Sequence, residues 1–158
     1  MTAGAHQAFV LDASVALAAF FEDEQDDYSV DVWRSMSGTQ VCVPALWHLE
    51  LANILSRALR RGRITAAALD EAWGRLERVQ MRVVPVAPDV SLWTRLACDW
   101  GLTSYDACYL DTALRQRLPL ATKDRVLGEA ARRVGVPLYL NPSILSSPQA
   151  RAPTHESR

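Results

Sequence analysis

Four acidic residues lie at positions where a parallel α/β fold would bring them together. Asp12 directly follows an apolar run, Glu50 lies early in a long helical segment, Asp106 opens another, and Asp124 follows a second apolar run. Clustered carboxylates repel one another, so some must be protonated or bind a cation. Mg²⁺ and Mn²⁺ prefer oxygen ligands and are commonly held by carboxylates together with substrate phosphates. The four acids therefore predict metal-assisted hydrolysis of a phosphodiester, in which the metal lowers the pKa of bound water.

Each acid also has a purely structural interpretation. Asp12 and Asp124 are good N-cap residues, and Asp106 would favour the positive end of its helix. Glu50 could belong to a solvated helix face. Asp106 is the hardest to explain in this way, because Tyr109 and the next residues on its face are apolar. A carboxylate on such a face is costly unless it is paired, hydrogen-bonded or bound to metal.

The elements that must position these acids alternate along the chain. Predicted strands are Ala8–Asp12, Val41–Pro44, Met81–Val86, Pro119–Thr122 and Pro137–Leu140. Predicted helices are Ser14–Phe21, a surface helix ending near Met36, Ala45–Arg61, Thr65 to about Gln80, Asp89–Trp100, Ser104–Arg117 and Asp124–Val134. Strands separated by helices favour parallel pairing with helices on both faces. Sites in such sheets lie at the carboxyl ends of the strands, which is where Asp12 and Asp124 fall.

Length and composition indicate one globular domain. The chain has 158 residues, of which 49% are hydrophobic and 22% charged. Residues 1–141 are predicted to form the domain. Residues 142–158 are rich in Pro, Ser and charged residues and are predicted to be a flexible tail. Lys and Arg number 17 against 18 Asp and Glu, so the overall charge gives no nucleic-acid footprint, although it permits a local basic patch.

Several features favour a cytoplasmic location. Three cysteines without a C-x-x-C pair are typical of free, buried thiols in a reducing compartment. The longest apolar stretch, Phe9–Phe21, is too short to span a bilayer and contains Asp12. No basic segment precedes it, so neither a signal peptide nor a membrane anchor is expected.

Four motifs occur in the order of the PIN domain family. They are V-L-D-A-S at Val10–Ser14, H-L-E-L-A-N-I-L at His48–Leu55, S-Y-D-A-C-Y-L at Ser104–Leu110 and A-T-K-D at Ala121–Asp124. Over residues 8–140 the chain resembles this family, and within it the VapC toxins of type II toxin–antitoxin pairs. The R-R-G-R-I-T stretch at Arg60–Thr65 is also similar to that group.

This resemblance implies a three-layer α/β/α sandwich with a central, mainly parallel sheet. It also implies a Mg²⁺-dependent endoribonuclease, with Mn²⁺ as a substitute metal. Asp12, Glu50, Asp106 and Asp124 match the family's catalytic, metal-binding acids. Ser14, Asn53 and Thr122 match supporting positions. Asp111 is a loose match to an extra acid, and a solvated helix face is the favoured interpretation.

The resemblance further implies a homodimer and a VapB-type antitoxin whose C-terminal segment covers the active-site groove. The substrate would be RNA, frequently transfer RNA. Four arginines could contact its phosphates, because such contacts supply salt-sensitive affinity; they are Arg57, Arg60, Arg61 and Arg63. The same arginines could instead complement a helix C-terminus.

Other interpretations stay open at this point. A Mg²⁺ phosphohydrolase of the haloacid-dehalogenase type also places Asp after its first strand, but it needs a second Asp where this chain has Ser14. A non-catalytic PIN-like module that binds RNA or protein would not need the four acids. The acidic run Glu22–Asp31 is predicted to be a solvated face. Trp47 is predicted to be a core residue, with base stacking as the alternative.

Overall fold

The computed structural model describes residues 8–140 as a parallel sheet flanked by helices. The strands are β1 (Ala8–Leu11), β2 (Gln40–Pro44), β3 (Met81–Val84) and β4 (Leu120–Ala121). The helices are α1 (Ala13–Ala16), α2 (Asp27–Ser35), α3 (Leu46–Arg60), α4 (Ala66–Leu76), α5 (Val90–Trp100), α6 (Ser104–Gln116) and α7 (Arg125–Arg133). The tail predicted at 142–158 lies outside the described residues.

The sheet has the strand order β3-β2-β1-β4, and every pairing is parallel. β1 therefore lies inside the sheet, with β2 on one side and β4 on the other. Parallel sheets are covered on both faces, so their strands are continuous apolar runs; in β1, Phe9, Val10 and Leu11 are fully buried. The predicted α/β sandwich with a parallel sheet is confirmed.

Helix α6 packs directly on this sheet and carries one of the candidate acids in its first turn. It contacts β1 and β2, and all of its residues from Ala107 to Ala113 are buried. Thr103 caps its N-terminus by accepting a hydrogen bond from the amide of Asp106. The helix thus fixes Asp106 close to the carboxyl ends of the strands.

Several predicted elements are shorter than expected, two of them because of a proline. The strand predicted at Pro137–Leu140 is reduced to a single bridge between Leu120 and Leu138, since Pro137 has no amide to donate and Leu140 has a positive φ of 55°. β3 ends at Val84 because Pro85 follows it. The helix predicted at Ser14–Phe21 is one α-helical turn followed by a 3₁₀ turn.

The predicted burial of the cysteines is wrong for one of the three, and the prediction of Trp47 as a core residue is confirmed. Cys42 and Cys108 are buried as predicted, but Cys98 is exposed. Trp47 is completely buried, so it is a core residue and cannot stack on a base. None of the helices within residues 8–140 is both long and apolar enough to cross a membrane.

Candidate active site

Asp12 lies at the sheet edge where β1 and β4 both end. Its amide donates to the carbonyl of Ala121 at 3.0 Å. Two hydroxyl groups converge on its side-chain Oδ2, Ser14 Oγ at 2.6 Å and Thr122 Oγ1 at 2.7 Å. Asp12 occupies the N-cap position of α1, but its side chain makes no capping hydrogen bond, so capping does not explain its carboxylate.

The environment of Asp12 opposes its negative charge. The residue is only 5% exposed. Burial raises the pKa of the Asp12 carboxyl from 3.8 to about 6, although the hydrogen bonds from Ser14 and Thr122 lower it, and the charges of Glu50 and Asp106 raise it further. A bound cation would reverse this cost, because an opposite charge nearby favours the ionised carboxylate.

Glu50 faces the site from α3 and is held by a tyrosine from α6. Tyr109 Oη donates to Glu50 Oε2 at 2.7 Å. Burial, followed by the charges of Asp12 and Glu50, raises the pKa of Tyr109 well above its ordinary value, so the phenol remains a proton donor. Burial also raises the pKa of Glu50, with the Tyr109 hydrogen bond lowering it and the charge of Asp106 raising it. The solvated-face interpretation of Glu50 is therefore wrong.

Asp106 and Asp124 are both tied to helix N-termini. Asp106 Oδ2 accepts from the amide of Thr103 at 2.9 Å and from its hydroxyl at 2.7 Å. Asp124 Oδ1 accepts from the amide of Leu127 at 2.8 Å. The structural interpretation of these two acids is correct as far as it goes, but each cap uses one carboxylate oxygen only.

The four candidate acids share one pattern of hydrogen bonding. In each, one oxygen accepts hydrogen bonds from the protein, and no side-chain or backbone donor in the part of the chain that the structure describes reaches the other. Nor does any of the four form an ion pair with a described Lys, Arg or His. Four positioned carboxylates with free oxygens and no counter-ion among residues 8–140 are a donor set that suits a hard divalent cation.

The spacing of the acids limits how they could share an ion. Among residues 8–140, no three His, Cys, Asp or Glu side chains converge closely enough to ligate one metal. Mg²⁺ is usually held by only one or two carboxylates and keeps several water ligands. The arrangement therefore suits a hydrated ion held by part of the acid set, and not a closed all-protein site.

The supporting residues link the two strand ends. Besides holding Asp12, Ser14 Oγ accepts from the amide of Lys123 at 3.0 Å, and Thr122 Oγ1 accepts from the amide of Asp124 at 3.0 Å. The Thr122 hydroxyl thus connects Asp12 to the backbone of Asp124, and the Ser14 hydroxyl connects Asp12 to the backbone of Lys123. Asn53, by contrast, is exposed and lines the surface beside Glu50, so it does not contact the carboxylate network.

The arginine cluster divides into two groups. Arg63 forms ion pairs with Asp23 and Glu24, both at 2.8 Å, and lies over the ring of Phe21. Arg63 would have to break these ion pairs to make its predicted contact with phosphate. The same pairs mean that the acidic run Glu22–Asp31 is not the purely solvated face that the sequence predicts. Arg57, Arg60 and Arg61 are exposed at the end of α3, about 10–17 Å along the helix from Glu50.

Asp111 is buried, so the prediction of a solvated helix face is wrong. Its Oδ2 accepts from Trp93 Nε1 at 3.0 Å, and its Oδ1 accepts from Arg115 Nε at 2.7 Å. With both oxygens bound and an arginine beside it, Asp111 joins α5 to α6 and does not belong to the acid set.

Sequence reasoning missed two residues that organise this region. Tyr109 follows Asp106 by three positions, which places both on one helix face, but its bond to Glu50 crosses between helices. The Lys123 side chain contacts Asp26 at 2.9 Å and the carbonyl of Glu24. It thereby ties the acidic loop to the strand end that carries Asp124.

Comparisons with known proteins agree with this architecture. Residues 9–133 match the model of the PIN domain family. The chain is similar to the crystal structure of PAE2754 from Pyrobaculum aerophilum, with a TM-score of 0.60 and 28% sequence identity over 78% of each chain. Among curated proteins, none matches the chain closely enough to indicate kinship.

The family match covers most of the chain, including all four candidate acids and the strands and helices that carry them. PIN domains are typically metal-dependent nucleases. From the fold, the acid set and this match together, we conclude that the chain belongs to the PIN domain family.

Proposed function

We propose that the protein is a Mg²⁺-dependent endoribonuclease that hydrolyses RNA phosphodiester bonds at Asp12, Glu50, Asp106 and Asp124. The observation that carries this proposal is the free oxygen on each of the four positioned carboxylates. Membership of a nuclease family gives the reaction class, and the choice of RNA rests on the resemblance of the motifs to VapC toxins.

The residues divide the work in this proposal. A bound Mg²⁺ or Mn²⁺ would supply an activated water and neutralise charge on the phosphate. Asp12, Asp106 and Asp124 would hold a hydrated ion, one or two of them directly and the rest through its water ligands. Ser14 and Thr122 would keep Asp12 in place. Glu50 would bind the ion directly or through water, or accept the proton of the attacking water. Its bond to Tyr109 keeps that carboxylate oriented.

The exposed arginines at the end of α3 would contact the RNA backbone. Arg57, Arg60 and Arg61 form no ion pair with another described residue, so they are available to phosphates. Such contacts would make RNA affinity fall as salt concentration rises.

We further propose that the protein acts as the toxin of a toxin–antitoxin pair. In this role it would form a homodimer, cleave a cellular RNA such as transfer RNA in the cytoplasm, and be inhibited by a VapB-type antitoxin that covers the acids. Growth arrest on expression, relieved by co-expression of a small protein encoded beside the gene, would support this role. Unimpaired growth on expression of a protein that cleaves RNA in vitro would contradict it.

The test of the nuclease function is cleavage of total RNA by the purified chain with Mg²⁺, with Mn²⁺ and with EDTA. Asp106→Asn keeps the shape of the side chain and removes its charge. Asp111→Asn is the matched control, because it makes the same change on the same helix outside the acid set. We expect discrete products that disappear with EDTA and with Asp106→Asn but persist with Asp111→Asn.

Other results would lead to other functions. RNA binding that does not depend on metal, with no cleavage, would indicate a non-catalytic module. Phosphatase activity without RNA cleavage would indicate a phosphohydrolase. The bond from Ser14 to Asp12 argues against the latter, since the serine occupies the position of the acid that this class requires.

A further inference from the structure

An open groove lies beside Glu50, between the starts of α3 and α6. Its volume is about 410 Å³, near the lower end of the range of roughly 300–1,000 Å³ for small-ligand sites. We call it the Tyr105 groove; it is lined by Leu46, Leu49, Glu50, Asn53, Ile54 and Tyr105. Leu49 is 75% exposed and Tyr105 59% exposed. Large apolar side chains exposed together are typical of a binding surface.

The groove is continuous with the candidate active site. Glu50 lines the groove and also accepts the hydrogen bond from Tyr109. Tyr105 directly precedes Asp106 in the first turn of α6. A ligand seated in the groove would therefore extend directly to the acids.

The lining chemistry defines what the groove can accept. It contains no Lys or Arg and it includes the acidic Glu50, so a phosphate would be repelled from it. The apolar walls and the exposed phenol ring of Tyr105 suit a flat, neutral group, because aromatic side chains stack on nucleobases. The Asn53 amide offers both donors and an acceptor, which is what recognition of a base edge requires.

We propose that the Tyr105 groove binds one unstacked base of single-stranded RNA next to the phosphate that is cleaved, and so selects the cleavage site. Tyr105 stacks on the base, and Asn53 hydrogen-bonds to its edge. This inference rests on the proposed endoribonuclease function and adds its specificity: the acids cut the backbone, and the groove reads the neighbouring base.

The first experiment measures base preference at the cut. A short single-stranded RNA of randomised sequence is digested with Mg²⁺, and the product ends are sequenced for the wild-type protein, Tyr105→Ala, Tyr105→Phe and Asn53→Ala. We expect a base preference in the wild type and in Tyr105→Phe, which keeps the ring. Tyr105→Ala should lose that preference, and Asn53→Ala should change it. Val90→Ala, a truncation of another exposed apolar residue outside the groove, should leave it unchanged.

The second experiment measures binding without cleavage. Fluorescence anisotropy with the same labelled RNA compares Asp106→Asn protein with the double variant that also carries Tyr105→Ala. Loss of one stacked base should weaken binding by about 5- to 140-fold. Adding Val90→Ala instead should not weaken it.

The outcomes separate this inference from the function on which it rests. Cleavage with an identical base preference in wild type and Tyr105→Ala would overturn the base site alone. Base-dependent binding that Tyr105→Ala abolishes, with no cleavage by the wild type, would contradict the nuclease but support the base site. Absence of both cleavage and binding would overturn both. If Tyr105→Ala kept the base preference but no longer bound a purified protein partner, the groove would be a protein-docking surface and the proposal would be overturned.

Discussion

Helix α6 carries two aspartates five residues apart that have opposite surroundings. Asp111 is 2% exposed, accepts a hydrogen bond on each oxygen and has Arg115 as its counter-ion. Asp106 is half-buried, uses one oxygen to cap its helix and has no described counter-ion. A buried charge with its own partner is part of the architecture. A positioned charge without one is available to a ligand from solution.

The same contrast applies to Asp12. It is nearly as buried as Asp111, but the groups that contact its carboxylate are hydroxyls and the nearby charges are acids. Its ionised form is therefore costly in the free protein, whereas that of Asp111 is compensated. Perturbed acids of this kind concentrate at functional sites, and the following changes test whether the contrast separates function from stability.

The largest effect is expected for Asp12→Asn on activity. The variant loses the charge that would hold the metal, and RNA cleavage with Mg²⁺ should fall by about a hundredfold or more. Asp111→Asn should leave the rate within a few-fold of wild type, because Asp111 contacts no candidate acid. Initial rates on a fixed RNA check both. Equal losses in the two variants would mean that the contrast has no functional meaning.

The second prediction is that Asp12→Asn stabilises the protein at neutral pH, whereas most substitutions of a buried residue destabilise it. The pKa of Asp12 is raised from 3.8 to about 6 on folding, so the native state binds the proton more tightly than the unfolded chain. Stability therefore falls as pH rises from about 4 to 6, and above that range the cost is constant at about 3 kcal/mol. Asp12→Asn removes this cost.

The measurement is urea unfolding in EDTA across this pH range. The variant should exceed the wild type by up to about 3 kcal/mol at pH 7 and by much less at pH 4. Mg²⁺ should then stabilise the wild type more than the variant, because the variant lacks one of the carboxylates that bind the ion. A variant that is less stable than wild type at every pH would contradict the pKa and its cause.

The third effect is the loss of stability in Asp111→Asn. Asparagine can still accept from Trp93 Nε1, but the charged hydrogen bond to Arg115 is lost, which should cost about 2 kcal/mol. Thermal or urea unfolding at pH 7 checks this. The companion variant Arg115→Gln should cost no less, because it leaves the buried Asp111 charge without its partner. A loss of RNA cleavage in Asp111→Asn with unchanged stability would instead place Asp111 in the active site.

The strand-end part of the site could be predicted from the sequence because it depends on local rules. Carboxyl ends of parallel strands share one edge of the sheet, so Asp12 and Asp124 were predicted to lie on the same edge. β1 and β4 are in fact direct neighbours. Ser14 and Thr122 were predicted only through the resemblance to the PIN domain family, although each lies within two residues of a strand-end acid.

The interactions that sequence reasoning could not predict connect distant segments. Asp111 was predicted to lie on a solvated face of its own helix, but its partner Trp93 lies on α5. Arg63 looked free to bind RNA, but its partners lie about 40 residues away in Asp23 and Glu24. Such pairings depend on how helices pack, which periodicity within one helix does not reveal.

The smallest effect is expected for Tyr109→Phe, which removes only the hydroxyl that holds Glu50. Loss of a bond that orients a metal-site acid typically costs about 10- to 100-fold in metal affinity or activity, and we expect the lower figure because three other acids keep their contacts. Mg²⁺ titration of the cleavage rate measures both quantities. Thr112→Val is the matched control, since it removes a buried hydroxyl of the same helix that donates to the carbonyl of Cys108 and not to an acid. If both variants lost a similar amount of stability but only Tyr109→Phe lost activity, the buried Tyr109 would contribute to the active site by orienting Glu50.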